Sequence, residues 1–554
     1  RESAPSVRRE PPPVAEPPQG SNASPVSLDA LTKHIPDPER ERADLMAELS
    51  TLDPKKDPAR YKYIQRVLER IRTIRRKQQV HLSLEEVIRR TLANNYGIEV
   101  VRYNPAVDLT RVVEAEAAFD AVFFTNVTKN NVDRPTGSQL LSTDLDVLDL
   151  SSGVRKLLPV GTQVSGTYEL TRTKQTFAFQ LINPEYFSRL ILEMRQPLLR
   201  GFGLDVNRSL IVLAQHDRKI SRLTFERQVR DTLRQVEELY WRLVQARREV
   251  VINARLLAEF EAIYEYLVAR GGYDVTPVQI EATRADLEEA KATFVQQEAE
   301  VFNAEDRLLG MINDPSLNLV DHPELIPDDF PQLAQIEVDP LAEVQTALDH
   351  RTELKEQELR IASAKINVGR AKNAELPRFD LTFRVTYDGL SGTADRSFDE
   401  LSRTKFIEYF IGVEFEMPIG NRGPRAARRR AQLQHAQAVA ELKRLFEQVI
   451  TEVNLAVRGL NVAYDQIAPS YESAQARLRE VESIVARAER KDFNTLINEL
   501  GARQRLANIR SAMLRAMVDY NVAIIELERA KGTLLEHDNV VVAGPDEPVR
   551  SDTP

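Results

Sequence analysis

The feature of this sequence that most constrains its fold is a stretch of 67 residues, 204–270, without a single glycine or proline. These two residues are the strongest helix breakers, so their absence predicts one very long helix. At about 1.5 Å per residue, such a helix would be roughly 100 Å long. A turn is predicted at 271–277, "GGYDVTP", and the segment 278–309 again lacks both helix breakers.

The lengths of the helical segments match one another. A further helical segment, 341–376, ends before Pro377, because the residue before proline disfavours helical geometry. Segments 278–309 and 341–376 together contain 68 residues, about as many as the long stretch. We therefore expect one long helix to run antiparallel to two half-length helices placed end to end.

The same order of elements occurs twice, which predicts an internal two-fold repeat. "LEEVIRRTLANN" (84–95) resembles "LAEVQTALDHR" (341–351). The first repeat is predicted over 82–330, with a half-helix, a β-hairpin region 119–196, a long helix 203–270, a tip 271–277, a return helix 278–309 and an equatorial segment 313–332. The second is predicted over 341–536, with a half-helix 341–376, a β-hairpin 378–417, a long helix 425–490, a tip 490–495 and a return helix 496–535.

Apolar and polar residues alternate in the hairpin regions. In the second repeat, both strand-like runs have the 9–11 residues that a tilted membrane strand needs. In the first, the candidate strands are 119–128, 163–171 and 188–196, and their pairing stays open. A soluble antiparallel sheet gives the same alternation. Two hairpins beside long helices have no core to cover, however, so closure with strands from other copies into a shared barrel is favoured.

Composition excludes several classes of function. The 554 residues exceed one domain, and the net charge of −9 argues against nucleic-acid binding. There is no cysteine, and no two of the seven histidines are spaced i, i+4, so neither thiol chemistry nor a metal site is predicted. No catalytic motif is present. The sequence contains no run of about 18 apolar residues, so no membrane-spanning helix is predicted. We predict no enzyme activity and no cofactor.

The two ends of the chain differ from its body. Residues 1–41 are rich in proline and predict a disordered tail, and 537–554 form a C-terminal tail. Residues 57–78 predict a basic amphipathic helix that packs on the main body; binding to an anionic membrane surface is the alternative. Since the chain begins at Arg1, we expect a processed form whose export signal lies outside it.

Four motifs occur together with the duplicated order of elements: "LSLEEVIRRTLANN", "QPLLRGFG", its counterpart "MPIGNRGPRAARRRA", and "ADLEEAKATF". Through these motifs and this order, the chain resembles the TolC family of outer-membrane channel proteins over about 82–536. It implies a mainly α fold with membrane β-structure: a long antiparallel α-helical barrel in the periplasm and a β-barrel shared by a homotrimer, with four strands per chain. It also implies a passive outer-membrane channel in a Gram-negative-type envelope, which acts with a periplasmic adaptor and an inner-membrane pump in efflux or type I secretion.

The resemblance also assigns site residues. The strand-to-helix junctions are Pro197, Gly201 and Gly203, with Pro418, Gly420 and Gly423 in the second repeat. The adaptor-facing tips are Gly271, Gly272, Tyr273 and Asp274, with Lys491, Asp492 and Phe493. The pore aperture, where the channel would be gated, corresponds to Asn498, Glu499 and Gly501. Because 119–196 is longer than the family pattern, we expect a large surface loop there.

Three alternatives stay open from the sequence. The basic run 425–430, "RAARRR", is either a solvated collar or a lipid-headgroup contact. Asp274 and Asp492 are either turn residues or ion-pair partners of an adaptor. The whole protein is either the channel or a non-channel coiled-coil scaffold of the cell envelope. The transported substrate is not readable.

Overall fold

The computed structural model describes residues 7–9, 34–74, 79–133, 135, 144–175, 181–273, 275–317, 320, 322–487 and 492–542. These residues form two compact units. Unit 1 comprises Arg1–Asn104, Leu223–Leu354 and Leu445–Pro554; unit 2 comprises Pro105–Arg222 and Lys355–Arg444.

Most of the described residues are helical. The helices are α1 (Pro38–Thr51), α2 (Pro58–Thr73), α3 (Leu84–Asn94), α4 (Tyr96–Arg102), α5 (Asn104–Glu116), α6 (Leu204–Asn207), α7 (Ser209–Ala269), α8 (Pro277–Ile312), α9 (Pro340–His350), α10 (Thr352–Ala374), α11 (Ala394–Ser402), α12 (Arg422–Asp465), α13 (Ile467–Arg487), α14 (Phe493–Lys531) and α15 (Leu534–His537). Segment 203–270 thus contains α6 and the 61-residue α7.

The strands are β1 (Val7–Arg9), β2 (Gln79–Leu82), β3 (Val122–Asp133), β4 (Asp144–Leu157), β5 (Gln163–Gln175), β6 (Glu185–Pro197), β7 (Glu324–Pro327), β8 (Arg378–Ser391), β9 (Phe406–Glu416) and β10 (Val540–Val542). Two short pairs lie in unit 1: β1 with β10, antiparallel, and β2 with β7, parallel. The β2–β7 pair lies in part in the segment predicted to be equatorial.

Helix breaks follow from caps and proline. Asn95 ends α3 and caps α4, because its Oδ1 accepts a hydrogen bond from the Ile98 amide at 2.9 Å. Segment 425–490 contains two helices, α12 and α13, which meet at Gln466. Pro469 lies in the first turn of α13, where its missing N–H costs least.

Unit 1 has an apolar core between α7 and the N-terminal helices. Ile64, Val67 and Ile71 of α2 are buried against Val251 and Ala258 of α7. This stripe has helical spacing, so α2 uses its apolar face to pack on the main body.

Unit 2 contains one antiparallel sheet, in the order β3-β4-β5-β6-β8-β9. It has six strands among the described residues, which corrects the expected four per chain. The large surface loop expected in 119–196 is instead mostly strand, because β3 and β4 form a hairpin that pairs with β5.

Two other expectations need correction. Helix α11 lies between β8 and β9, within the segment 378–417 that was predicted as a simple β-hairpin. The tail predicted to be disordered over 1–41 contains β1 and the start of α1, which Asp37 caps by accepting a hydrogen bond from the Glu39 amide at 3.0 Å. A backbone ladder, a side-chain cap and the burial of Ile35 order the described residues of this segment. Residues 10–33 lie outside the described residues.

Candidate functional site

The sheet of unit 2 has one apolar face and one polar face. Register places Phe123, Val154, Gly166, Leu192, Val385 and Tyr409 in one row across all six strands. The same face becomes charged towards one end of the sheet, where Lys129 and Arg172 approach Asp146 at 3.8 and 3.4 Å. An apolar band therefore crosses the sheet and ends at a charged rim.

Most of this apolar face is uncovered in a single chain. On β9, Ile411 is 71% exposed, Val413 62% and Phe415 61%. Among the described helices, α11 covers part of this face: Leu401 is buried, and Ser397 Oγ lies 2.7 Å from Ser188 Oγ. A contiguous exposed apolar surface of this kind marks contact with lipid or another protein.

The opposite face carries a ladder of ion pairs between strands. Arg195 of β6 contacts Asp380 of β8 at 2.6 Å and Glu414 of β9 at 3.2 Å. Arg378 contacts the same two carboxylates at 2.8 and 3.3 Å. The Arg384–Glu193 pair at 2.7 Å extends the ladder. This face is suited to water, as the interior of a channel requires.

The residues predicted to join strand and helix lie at turns in unit 2. Pro197 ends β6, and Gly201 and Gly203 follow with φ of 86° and 106°. The Asn207 side chain donates to both glycine carbonyls at 2.8 Å, which fixes this turn at the start of α6. Positive φ favours glycine, because it has no Cβ.

The second junction also contains a proline followed by a glycine with positive φ. Pro418 follows β9, and Gly420 has φ of 91°. Asn421 donates from Nδ2 to the Glu375 carbonyl at 2.7 Å. Gly423 is an ordinary residue of the first turn of α12.

The first predicted tip lies in unit 1 between α7 and α8. Gly271 and Gly272 form the turn, and Tyr273 is 94% exposed. A capping box between Thr276 and Gln279 begins α8. Asp274 lies outside the described residues.

At the second tip, Asp492 caps α14 by accepting a hydrogen bond from the Thr495 amide at 3.0 Å. A hydrogen bond from the Thr495 side chain, together with this one from the Thr495 amide, lowers the pKa of Asp492. Phe493 is the first residue of α14. Asp492 thus serves as a helix cap; Lys491 lies outside the described residues.

One of the predicted aperture residues, Glu499, takes part in a charged contact between α7 and α14. Glu499 accepts a hydrogen bond from Arg503 at 2.7 Å, and Arg503 also contacts Glu259 of α7 at 2.5 Å. Asn498 is exposed, and a Cβ on Gly501 would lie 3.3 Å from Arg505 Nη1. The structure therefore places Glu499 in an interhelix cluster.

This cluster borders a cavity of about 300 Å³. Burial raises the pKa of Glu259, although Arg503 opposes the shift. Burial and the nearby Glu259 raise the pKa of Tyr63 to about 12. Burial and repulsion by Arg255 lower the pKa of Arg510. The cavity is thus lined by charges whose ionisation is coupled.

The basic segments singled out in the sequence have acidic partners. Arg66 and Arg70 of α2 pair with Glu261 of α7, at 3.3 and 2.5 Å. In the run 425–430, Arg428 contacts Glu375 at 3.0 Å. Because these arginines form ion pairs within the protein, less positive charge is available to bind an anionic membrane surface.

Sequence reasoning missed the polar ladder of the sheet and the Glu259–Arg503 contact. Charges alternating with apolar residues on β8 were the available signal for the ladder. Neither pairing can be predicted from a short window of sequence, because Arg195 and Asp380 are 185 positions apart, and Arg503 and Glu259 are 244 positions apart.

No group of three or more histidine, aspartate or glutamate side chains among the described residues is arranged to hold a metal ion. None of the described helices has a stretch apolar and long enough to span a membrane.

Comparison with known proteins adds a family and a fold. Residues 344–533 match the family described as outer membrane efflux protein. No curated protein matches the chain.

Among solved structures, the chain is similar to the CmeC outer membrane channel of Campylobacter jejuni, with 15% identity and a TM-score of 0.60 over 82% of this chain and 89% of that one. The outer membrane protein VceC of Vibrio cholerae is 13% identical, with a TM-score of 0.58 over 81% of this chain and 96% of that one. The MtrE outer membrane channel of Neisseria gonorrhoeae is 16% identical, with a TM-score of 0.57 over 81% of this chain and 89% of that one. The predicted fold class, mainly helical with an antiparallel sheet, is confirmed.

Proposed function

We propose that this chain, whose residues 344–533 match the family described as outer membrane efflux protein, is the passive exit channel of a tripartite efflux or type I secretion system. The match supports a transport protein of the outer membrane, and we propose that its helices extend into the periplasm. In the proposed system, three copies form the channel, and a periplasmic adaptor connects it to an inner-membrane pump.

The observation that carries this proposal is the asymmetry of the sheet in unit 2. One face is apolar and largely uncovered, and the other holds paired charges. A soluble sheet would bury its apolar face in a core. A membrane barrel has the reverse arrangement, with apolar side chains towards lipid and polar ones towards a water-filled lumen.

We place the gate of this channel at the periplasmic ends of the helices. The charged contact of Glu499, Arg503 and Glu259 supports this proposal, because it joins the first three turns of α14 to α7. Opening then requires the separation of partly buried charges, which favours the closed state.

The test is the conductance of purified protein in planar lipid bilayers. Light scattering first establishes that the detergent-solubilised protein is a folded oligomer. Discrete conductance steps are expected from this oligomer. A folded oligomer without such steps would contradict a channel, and a protein that stays monodisperse in buffer without detergent would instead support the coiled-coil scaffold.

A further inference from the structure

The sheet of unit 2 has an even number of strands and two open edges. Strand β3 forms one edge and β9 the other, and no described strand pairs with the outer side of either. All neighbouring strands in the sheet are antiparallel. The first and sixth strands therefore run in opposite directions, so β3 of a second copy fits beside β9 with antiparallel pairing preserved.

Both edge strands have the properties of strands that join a partner. Neither contains proline, the residue that commonly protects a free edge. On β3, Phe123 and Val127 are 69% and 62% exposed. On β9, Tyr409 and Ile411 lie on the same face of the sheet and are exposed to a similar degree. Unpaired backbone groups beside such apolar side chains are costly in lipid, and pairing removes that cost.

The β3–β4 hairpin is an integral part of the sheet. Strand β4 pairs with β5 without interruption from Leu145–Gln175 to Leu157–Gln163. The Phe124 ring of β3 lies against Gly153 of β4, so close that a Cβ there would be 2.9 Å from the ring. An aromatic ring over a glycine on the next strand fixes register. The hairpin therefore extends the barrel wall.

We propose that β9 of one copy pairs with β3 of a second copy, so that each copy gives six strands to a shared barrel instead of the family's four. The inference is based on the proposed trimeric channel, and three copies then give eighteen strands where twelve were expected. Barrel diameter grows roughly linearly with strand number, so the lumen would be about 1.5-fold wider. The outer-membrane part of this channel accepts bulkier cargo than a twelve-stranded barrel.

Disulfide cross-linking between copies tests the edge contact. The chain has no cysteine, so introduced residues are the only thiols. Val127→Cys on β3 is combined in turn with Ile407→Cys, Tyr409→Cys, Ile411→Cys and Val413→Cys on β9, which scans the register between copies. The matched control replaces Val127→Cys by Val164→Cys on β5, which lies on the same face of the sheet but not at an edge. Cross-linked dimers and trimers are expected with Val127→Cys at one or two β9 positions and with no Val164→Cys pair.

Electron cryo-microscopy of the unmodified oligomer gives a second measurement that no substitution affects. Eighteen strands in the barrel are expected. Twelve strands, or cross-linking through Val164→Cys in place of Val127→Cys, would show that β5 is the true edge and would overturn this inference while leaving the channel intact. A protein that is only monomeric in detergent would overturn both the inference and the proposed channel.

Discussion

Arg247 of α7 and Glu324 of β7 form a buried ion pair in which Nη2 and Oε1 are 2.9 Å apart. The same guanidinium contacts Glu305 of α8 at 3.3 Å, and Gln79 of β2 donates to Glu324 at 2.8 Å. All three charged side chains are almost fully inaccessible to solvent. One arginine thus fastens the short β2–β7 pair to two helices of unit 1.

Replacing this arginine is expected to destabilise unit 1. Arg247→Ala removes the arginine that both buried carboxylates contact, and breaking a buried ion pair in this way costs about 3–5 kcal/mol. The measurement is denaturant unfolding in detergent, followed by circular dichroism. Arg242→Ala is the matched control on the same helix, because its ion pair with Asp519 is exposed and contributes about 1 kcal/mol or less. Equal losses in the two variants would contradict a structural role for the buried pair.

The helices were predictable because glycine and proline act locally. The breaks at Asn95 and Arg351 were not, since they depend on distant partners: Asn95 Nδ2 donates to the Met311 carbonyl at 2.6 Å, and Arg351 pairs with Glu452. Such contacts have no signature in a short window of sequence.

The strands were predicted well where alternation was strict and poorly elsewhere. In β8 and β9, residues of one kind recur at every second position. In β4, the adjacent Val147 and Leu148 are both apolar although they lie on opposite faces, so a two-residue period does not appear. The ion-pair ladder of the candidate site could not be predicted, because it requires knowing that β6 pairs with β8.

A charge on the apolar face of the sheet is expected to impair membrane insertion. Phe383 and Thr382 are neighbours on β8 whose side chains lie on opposite faces, in register with Met194 and Arg195 respectively. Phe383→Lys is expected to cost about 2–4 kcal/mol near the middle of the membrane, whereas Thr382→Lys faces the polar side. Refolding into lipid vesicles, assayed by protease protection, measures the difference. Equal insertion of the two variants would exclude the proposed orientation of the sheet.

Helix α11 depends on a glycine beneath it. A Cβ on Gly389 would lie 2.2 Å from the Ser397 carbonyl oxygen, so the helix must shift if any side chain is added. Gly389→Ala is expected to cost about 1–3 kcal/mol and to expose Leu401. Limited proteolysis of the β8–β9 connection reports this release. Gly392→Ala is the control, because its Cβ would be in ordinary contact at 3.5 Å; unchanged proteolysis of Gly389→Ala would contradict the tight packing.

The buried carboxyl of Glu259 predicts a pH dependence. Its pKa is higher in the folded than in the unfolded chain, because burial disfavours the charged form. Its contribution to stability is therefore largest below the ordinary carboxyl pKa and is lost as pH rises through the folded value. Glu259→Gln cannot ionise, so its thermal midpoint should gain on that of the unsubstituted chain over the range of pH that begins at the ordinary carboxyl pKa, about 4, and extends upward. Calorimetry checks this, with the exposed Glu288→Gln as control; a constant difference across this range would refute the assignment.

The contact between Arg503 and Glu259 predicts how the proposed gate responds to mutation. Arg503→Ala removes the only cation seen bonded to both Glu259 and Glu499 among the described contacts, and it leaves two carboxylates facing each other across α7 and α14. Loss of a partner from a partly buried pair costs several kcal/mol, enough to raise the open probability about tenfold or more if this contact holds the closed state. Single-channel recording in planar bilayers measures it. Arg505→Ala is the matched control, because its partner Glu480 lies on α13 and the pair is half exposed. If both variants open as rarely as the unsubstituted channel, the gate does not depend on this cluster and lies at other residues of the helix ends.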